Sequence, residues 1–329
     1  MKMRYPGSTF VAAAIMATAC CSAGAQAPLV SPPMVASDWN QYNDASATAT
    51  VSAASPSPMT VSNLFFPTDN IASWCKGFKY PDQTKMSVEG NALRVDIGKV
   101  DDAKTTWFTY LYQRDLILKQ GQAYIVKLRA KADVARQINL IMQVSGADWH
   151  DIGLNKPADL TTAWQTFSFP FTAAKMIGIG EQLSIHMGQQ TGTVWLSDVS
   201  LTPAEGVISI PGPASALQVA IAKPGDHDWS VQLDSKQFDM VEGHKYLLSY
   251  YVKSDIVRPY VSLVRINSDD YHSVGAAYGG AIAGPMWRHV LTPFTATRVK
   301  ANNNLVGFNI GAAGASTVTI GDVTLTEAK

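Results

Sequence analysis

An all-β fold of two tandem antiparallel sandwiches is predicted by three observations. From Val61 onward, runs of four to nine residues alternate or are β-branched and are separated by Gly, Pro, Asn and Asp, with no long helical period. A ten-residue stretch occurs twice, as Thr193 to Thr202 (TVWLSDVSLT) and as Thr317 to Thr326 (TVTIGDVTLT), each copy with one Asp at its centre. Other landmarks recur at nearly the same offset: Tyr124 and Tyr246 at 122, Trp107 and Trp229 at 122, Leu93 and Leu217 at 124, Trp164 and Trp287 at 123. Offsets that drift by so little identify an internal duplication.

In chain order, Lys2 and Arg4, the apolar run Phe10 to Ala19 and the small-residue site Ala23-Gly24-Ala25 read as a secretory signal over residues 1–25. The apolar run is too short to span a bilayer. Cleavage is expected after Ala25; acylation at Cys20 is the rival reading. A secreted or periplasmic protein follows. Cys20 and Cys21 leave with the signal, so the mature chain keeps only Cys75, expected as a buried hydrophobic thiol rather than a nucleophile.

Residues 26–60 hold a small-residue stretch from Asp44 to Pro58 and read as an extension or linker, although Trp39 and Tyr42 must pack on something. The second repeat begins abruptly after Gly206 and lacks an equivalent of 61–90, so residues 28–50 are a source for its missing first strand. The sandwiches themselves are expected over 61–204 and 205–329, with eight or nine strands each. Tyr124, Val126, Leu128 and Ala130 alternate with Ile125, Lys127, Arg129 and Lys131, and Tyr246, Leu248, Tyr250 and Val252 do the same in the second repeat. One face is core and the other is wetter.

Composition narrows function. The 329 residues are 47% hydrophobic, enough for two cores, only 16% are charged, and the formal net charge is zero. No basic stripe is visible in the sequence to draw nucleic acid or an anionic membrane surface. No Gly-x-Ser-x-Gly, zinc-spaced His pair or phosphate-cradling loop occurs. No acidic pair recurs in both repeats, as a hydrolase cleft would require. Asp148-Trp149-His150-Asp151 is the one acidic cluster bearing a histidine, and Asp269 to His272 echoes it in part.

The order Trp107 with Gln113, Gly121-x-x-Tyr124, Leu160 to Phe171 with Trp164, and Gly192 to Leu201 with Asp198 resembles carbohydrate-binding modules of families 4 and 9. The second repeat shows the same order through Trp229, Gly243-x-x-Tyr246, Trp287 to Phe294 and Asp322 to Leu325, so the matches cover about 91–204 and 215–327. The usual opening motif of such modules is missing from the second repeat and only hinted at by Asn63 to Phe66 with Trp74. The resemblance implies galactose-binding-like jelly rolls with a polysaccharide or oligosaccharide in a concave groove. Sugar C–H faces stack on aromatic rings and hydroxyls need amide, carboxylate or imidazole partners.

Applied by position, that rule marks Trp107, Gln113, Gln143, Trp149, His150, Gln182 and His186 in the first repeat. Gln182 and His186 are four apart and share one face of a strand. In the second repeat it marks Trp229, Arg265, Asn267, Tyr271 and Asn309; Leu305 stands where Gln182 predicts an amide. Trp164 and Trp287 are expected in the core. The family also implies a structural calcium at Asp198 and Asp322, the alternative being carboxylates that bond a neighbouring loop. The expected function is non-catalytic polysaccharide binding, with the first repeat the better binder. An adhesive envelope or matrix protein with protein partners, and a polysaccharide lyase or glycoside hydrolase, are the alternatives.

Overall fold

The computed structural model describes residues 27–145, 148–268 and 270–328. The signal, with Cys20 and Cys21, lies outside them. Strands β1 (Trp39–Asn43), β2 (Ala47–Ala54) and β3 (Met59–Val61) come first. Then follow β4 (Cys75–Phe78), β5 (Thr84–Glu89), β6 (Ala92–Ile97), β7 (Thr109–Gln113) and β8 (Ala123–Ala132). β9 (Arg136–Gln143), β10 (Asp151–Leu160), β11 (Gln165–Thr172), β12 (Gln182–His186) and β13 (Gly192–Pro203) complete the first half. The second half has β14 (Ile208–Ile210), β15 (Ala216–Pro224), β16 (Val231–Ser235), β17 (Lys245–Ser254) and β18 (Arg258–Ile266). It ends with β19 (Ser273–Ala283), β20 (Arg288–Thr295), β21 (Asn304–Asn309) and β22 (Ser316–Ala328).

These strands form two antiparallel jelly-roll sandwiches. In the first, sheet I (β10-β9-β12-β7-β4) faces sheet II (β11-β8-β13-β6-β5). In the second, sheet III (β1-β16-β21-β18-β19) faces sheet IV (β2-β15-β22-β17-β20). Each sandwich therefore has ten described strands, more than the eight or nine expected, because short edge strands such as β4 carry too few residues to show a period. Inward residues follow the alternation: Tyr124, Val126, Leu128 and Ala130 are all buried in one core, Tyr246, Leu248, Tyr250 and Val252 in the other.

The repeated motifs have local structural reasons. The Tyr124 hydroxyl accepts from the Lys119 N–H at 2.9 Å, and the Tyr246 hydroxyl accepts from the Val241 N–H at 3.0 Å, pinning the same loop in each half. Asp198 and Asp322 sit at positive φ, 52° and 44°, where the closing strands β13 and β22 slip register against β8 and β17. An aspartate tolerates this left-handed bulge position better than most residues.

Residues 39–54 are not a linker. β1 pairs with β16 from Trp39↔Ser235 to Asn43↔Val231, and β2 pairs with β15 from Ala54↔Ala216 to Ala47↔Pro224. They fill both edges left open by the missing opening segment of the second repeat, and Trp39 is buried in its core. Small residues suit β2 because it lies flat at an edge; they are a packing feature here.

The sandwiches meet through β20 and the short β3-β14 ladder. Trp287 is 1% exposed and joins the core cluster of the first sandwich beside Ile208 and Ile210. Arg288, also buried, donates through Nη1 to the Leu64 carbonyl at 3.0 Å and through Nη2 to Gln113 Oε1 at 3.4 Å. Its guanidinium lies 4.1 Å from the Phe66 ring centroid, and burial lowers its pKa to about 10. Trp164, the counterpart of Trp287, departs from the core expectation: it is 37% exposed on the outer face of sheet II, between Arg129 and Lys131. The difference is that only Trp287 has a neighbouring sandwich to cover it.

Candidate functional site

The outer face of sheet I brings polar and aromatic residues together. On β12, Leu183 and Ile185 point into the core, so Gln182, Ser184 and His186 point outward, yet none is more than 6% exposed. On β7, Leu111 is core and Tyr110 and Tyr112 face outward. The ladders align Tyr110, His186 and Asn139 in one row and Tyr112, Ser184 and Ile141 in the next, with Gln182 opposite Gln143 beyond them. These residues make a groove floor with aromatic flanks.

Its hydrogen bonding is only partly satisfied. Gln182 Nε2 donates to Ser184 Oγ at 2.7 Å and Gln143 Nε2 to the same oxygen at 3.3 Å. His186 packs edge-on to Tyr110 at 5.3 Å, and its buried Nδ1 has no partner among the described residues. The Tyr110 and Tyr112 rings lie 5.4 Å apart, tilted by 30°. Tyr110 can lie across β4 because residue 77 is glycine: a Cβ there would come within 1.9 Å of its ring.

The floor residues carry no charge at pH 7, and Arg114, which hydrogen-bonds Tyr112 at the edge of the floor, is paired with Asp115 at 3.5 Å. Burial lowers the His186 pKa to about 4 and pushes both tyrosine hydroxyls up; it also raises the Cys75 thiol beside Tyr112 to about 11. A histidine that is neutral when folded and protonated when unfolded costs stability as pH falls from about 6.5 toward 4. His186→Asn is therefore expected to flatten the decline of the first sandwich's unfolding midpoint between pH 7 and pH 4.5. An unchanged slope in the variant would assign that decline to other groups.

Two exposed indoles stand at opposite ends of this sheet. Trp107, 58% exposed, lies just before β7, and Trp149, 50% exposed, follows β9; β7 and β9 run the same way because both are antiparallel to β12. Trp149 has a φ of 60° and is held by its neighbours. His150 Nδ1 is 2.5 Å from Asp148 Oδ1 and its Nε2 is 2.8 Å from the Lys175 carbonyl oxygen. Both ring nitrogens are occupied, so His150, expected as a ligand contact, instead fixes the turn that presents Trp149. The second repeat does the same: His272 bridges Asp270 at 2.6 Å and the Arg298 carbonyl at 2.8 Å, and Tyr271 at φ 51° is 57% exposed. The recurring unit is Asp-aromatic-His, read in the sequence one residue out of register.

Gln113 also departs from expectation. It points into the sandwich, where Oε1 accepts from the Phe66 N–H at 2.9 Å and Nε2 donates to the Phe66 carbonyl at 3.3 Å. Its place on the outward face belongs to Tyr110 and Tyr112, one residue away on either side of Leu111. Sequence reasoning missed these two tyrosines; the signal was the apolar Leu111, which fixes which parity of β7 is core.

The outer face of sheet III differs in chemistry. Arg265 Nη2 donates to Asp234 Oδ2 at 2.8 Å and to Gln232 Oε1 at 3.1 Å, and the guanidinium lies 5.3 Å from the Tyr271 ring. Burial raises the Asp234 pKa to about 6 against the opposing pull of Arg265. Gly307 occupies the position of Ser184, and a Cβ there would meet Asp234 Oδ1 at 2.6 Å. Asn309 sits at the place of His186 with a buried Oδ1 that has no partner among the described residues, while Asn267 is exposed and receives a 3.4 Å contact from Arg265. Trp229 precedes β16 and stacks on His227 at 4.7 Å, and Tyr42 of β1 stands opposite Gln232.

Calcium does not fit the two bulge aspartates. Asp322 spends its oxygens on the Ala214 and Ser215 N–H groups at 2.6 and 2.9 Å and on the Ser215 hydroxyl at 3.1 Å, while Asp198 faces Arg129 at 3.6 Å. No group of three His, Cys, Asp or Glu that could hold a metal occurs among the described residues.

No curated protein matches the chain. Among solved structures, one titled "CBM4 structure and function" is 23% identical, covering 44% of this chain and 94% of that one, with a TM-score of 0.36. The second N-terminal cellulose-binding domain of Cellulomonas fimi β-1,4-glucanase C is 17% identical, covering 43% and 94%, at 0.36. The N-terminal CBM22-1–CBM22-2 tandem domain of Paenibacillus barcinonensis Xyn10C is 7% identical and covers 84% of this chain and all of that one, at 0.31. The family model described as "Carbohydrate binding domain" matches residues 60–192, the stretch that holds β4 to β12 of the first sandwich.

Proposed function

We propose that this is an exported, non-catalytic polysaccharide-binding protein whose main contact is the outer face of sheet I. The observation that carries this reading is the row of buried polar groups Gln182, Ser184 and His186, the last with an Nδ1 that has no partner among the described residues, flanked by Tyr110 and Tyr112. Hydroxyl-rich rings supply both things such a floor lacks. Their C–H faces stack on tyrosine and tryptophan, and their hydroxyls donate to or accept from the amides and imidazole. Because the floor is neutral, the reading favours a neutral glycan. Trp107 and Trp149, at the two ends of the face, extend the contact along the chain of sugars.

The test is affinity electrophoresis of the mature protein, from Gln26 onward, through gels carrying soluble neutral polysaccharides. Retardation by at least one of them should be lost in Tyr112→Ala and weakened in Trp149→Ala, both with unfolding midpoints near that of the parent. Retardation that survives in Tyr112→Ala would remove the outer face of sheet I as the binding surface. No retardation by any neutral glycan would turn the reading toward an adhesive protein.

A further inference from the structure

The opposite face of the first sandwich carries a second array that the groove does not use. On the outer face of sheet II, Lys131 of β8, Trp195 of β13 and Arg94 of β6 are direct lateral neighbours in the ladders. They form one straight row across the strands. Lys131 Nζ lies 4.6 Å from the Trp195 ring and 5.3 Å from the Trp164 ring; Arg94 lies 5.4 Å from Trp195 and Arg129 5.4 Å from Trp164. Cation and indole alternate five deep. Beside this row a shallow pocket opens over Lys85, Asp96 and Thr193.

Charge on this face is not balanced. Arg94 is paired with Glu89 at 3.0 Å and Asp96 at 2.9 Å, and Arg129 faces Asp198 at 3.6 Å. Lys131 and Lys127, on the same side of β8, are in no ion pair among the described residues. The second repeat shows that the array is not required by the fold. There the same row reads Lys253, Thr319, Gln218 and Ser52, and the Trp287 counterpart of Trp164 is buried against the first sandwich. The sequence hid this surface because its cations and indoles come from β6, β8 and β13 and the turn before β11, far apart in the chain.

We propose that the outer face of sheet II is a second binding surface, for an acidic polysaccharide whose rings stack on Trp164 and Trp195 and whose carboxylates meet Lys131 and its cationic neighbours. Trp164 offers an exposed indole and Trp195 a half-buried one beside it, and the flanking cations supply the charge complement. A linear row across the strands suits a linear polymer. With a neutral glycan on sheet I and an acidic one on sheet II, a single sandwich would bridge two components of a mixed matrix.

The probe is polygalacturonate, with its methyl-esterified form as the uncharged counterpart, in affinity gels of the mature full chain. Retardation by polygalacturonate is expected to exceed that by the ester, to fall on raising salt, and to weaken roughly tenfold in both Trp164→Ala and Lys131→Glu. Lys223→Glu, which changes net charge equally on an exposed strand of the second sandwich, should bind as the parent does. Tyr112→Ala should also retain polygalacturonate binding while losing the neutral glycan, which separates failure of this inference from failure of the groove. The proposal is overturned by absent retardation, by equal retardation on the ester, by equal loss in Lys223→Glu, or by loss in Tyr112→Ala. Stronger retardation on single-stranded DNA than on polygalacturonate would likewise overturn it in favour of a nucleic-acid surface.

Discussion

Deleting residues 27–55 from the mature chain should unfold the second sandwich and leave the first folded but less stable, because Trp287 and Arg288 then no longer close its core. The deletion removes β1 and β2, one edge from each of sheets III and IV, together with the buried Met34, Trp39 and Ala49. Loss of one buried tryptophan costs about 3–5 kcal/mol by itself, and the exposed backbone of β15 and β16 adds to that. A domain of this size has only about 5–15 kcal/mol in hand. Calorimetry should show a single transition assignable to the first sandwich, and limited proteolysis should cut within 208–328. Adding a synthetic 27–55 peptide should restore protection. A deletion variant with both transitions intact would show that β1 and β2 are dispensable edges.

Trp287→Ala is the second large effect, and its counterpart supplies the control. Trp287 is buried in the first sandwich's core, and its Nε1 donates to the Ser57 carbonyl at 3.4 Å. Truncation should cost about 3–5 kcal/mol, whereas Trp164→Ala, at the equivalent but exposed position, should stay within about 0.5 kcal/mol. The same substitution would thus be costly in one repeat and nearly neutral in the other. Arg288 should accentuate the contrast, because truncating it removes the buried donor to the Leu64 carbonyl and one of the two donors to Gln113 Oε1. Equal losses in Trp287→Ala and Trp164→Ala would place both indoles in comparable environments and contradict the burial described.

Period and duplication made the sandwich architecture legible, since alternation along β8 and β17 names the core faces directly. The outward pair Gln182 and His186 was equally readable from their spacing. Gln113 was not, because a five-residue strand flanked by irregular chain offers two parities, and a polar residue fits either of them. His150 was misassigned because a histidine next to an exposed tryptophan has the same one-dimensional signature whether it contacts a ligand or braces a turn. Aligning Asp148 with Asp270 resolves it. Trp164 and Trp287 could not be separated, because what distinguishes them is the neighbour each one meets in space. The cation–indole row and the Arg265–Asp234 pair were invisible for the same reason: each is assembled from strands that touch only after folding.

The placement of β1 and β2 also sets an order of events. All ten strands of the first sandwich lie between residues 75 and 203, so its ladders can close as soon as that stretch is available. β2 must wait for β15, from Ala54↔Ala216 at the nearest to Ala47↔Pro224 at the farthest. Loop closure across so long an intervening stretch makes the second sandwich the slower folder. Until β15 arrives, Ala47–Ala54 is an uncharged extended segment with no partner, the kind of edge that pairs with other chains. Its Ala, Thr and Ser content gives such pairing little apolar surface to gain. The small residues that made the segment look like a spacer are then what keeps it available during the delay.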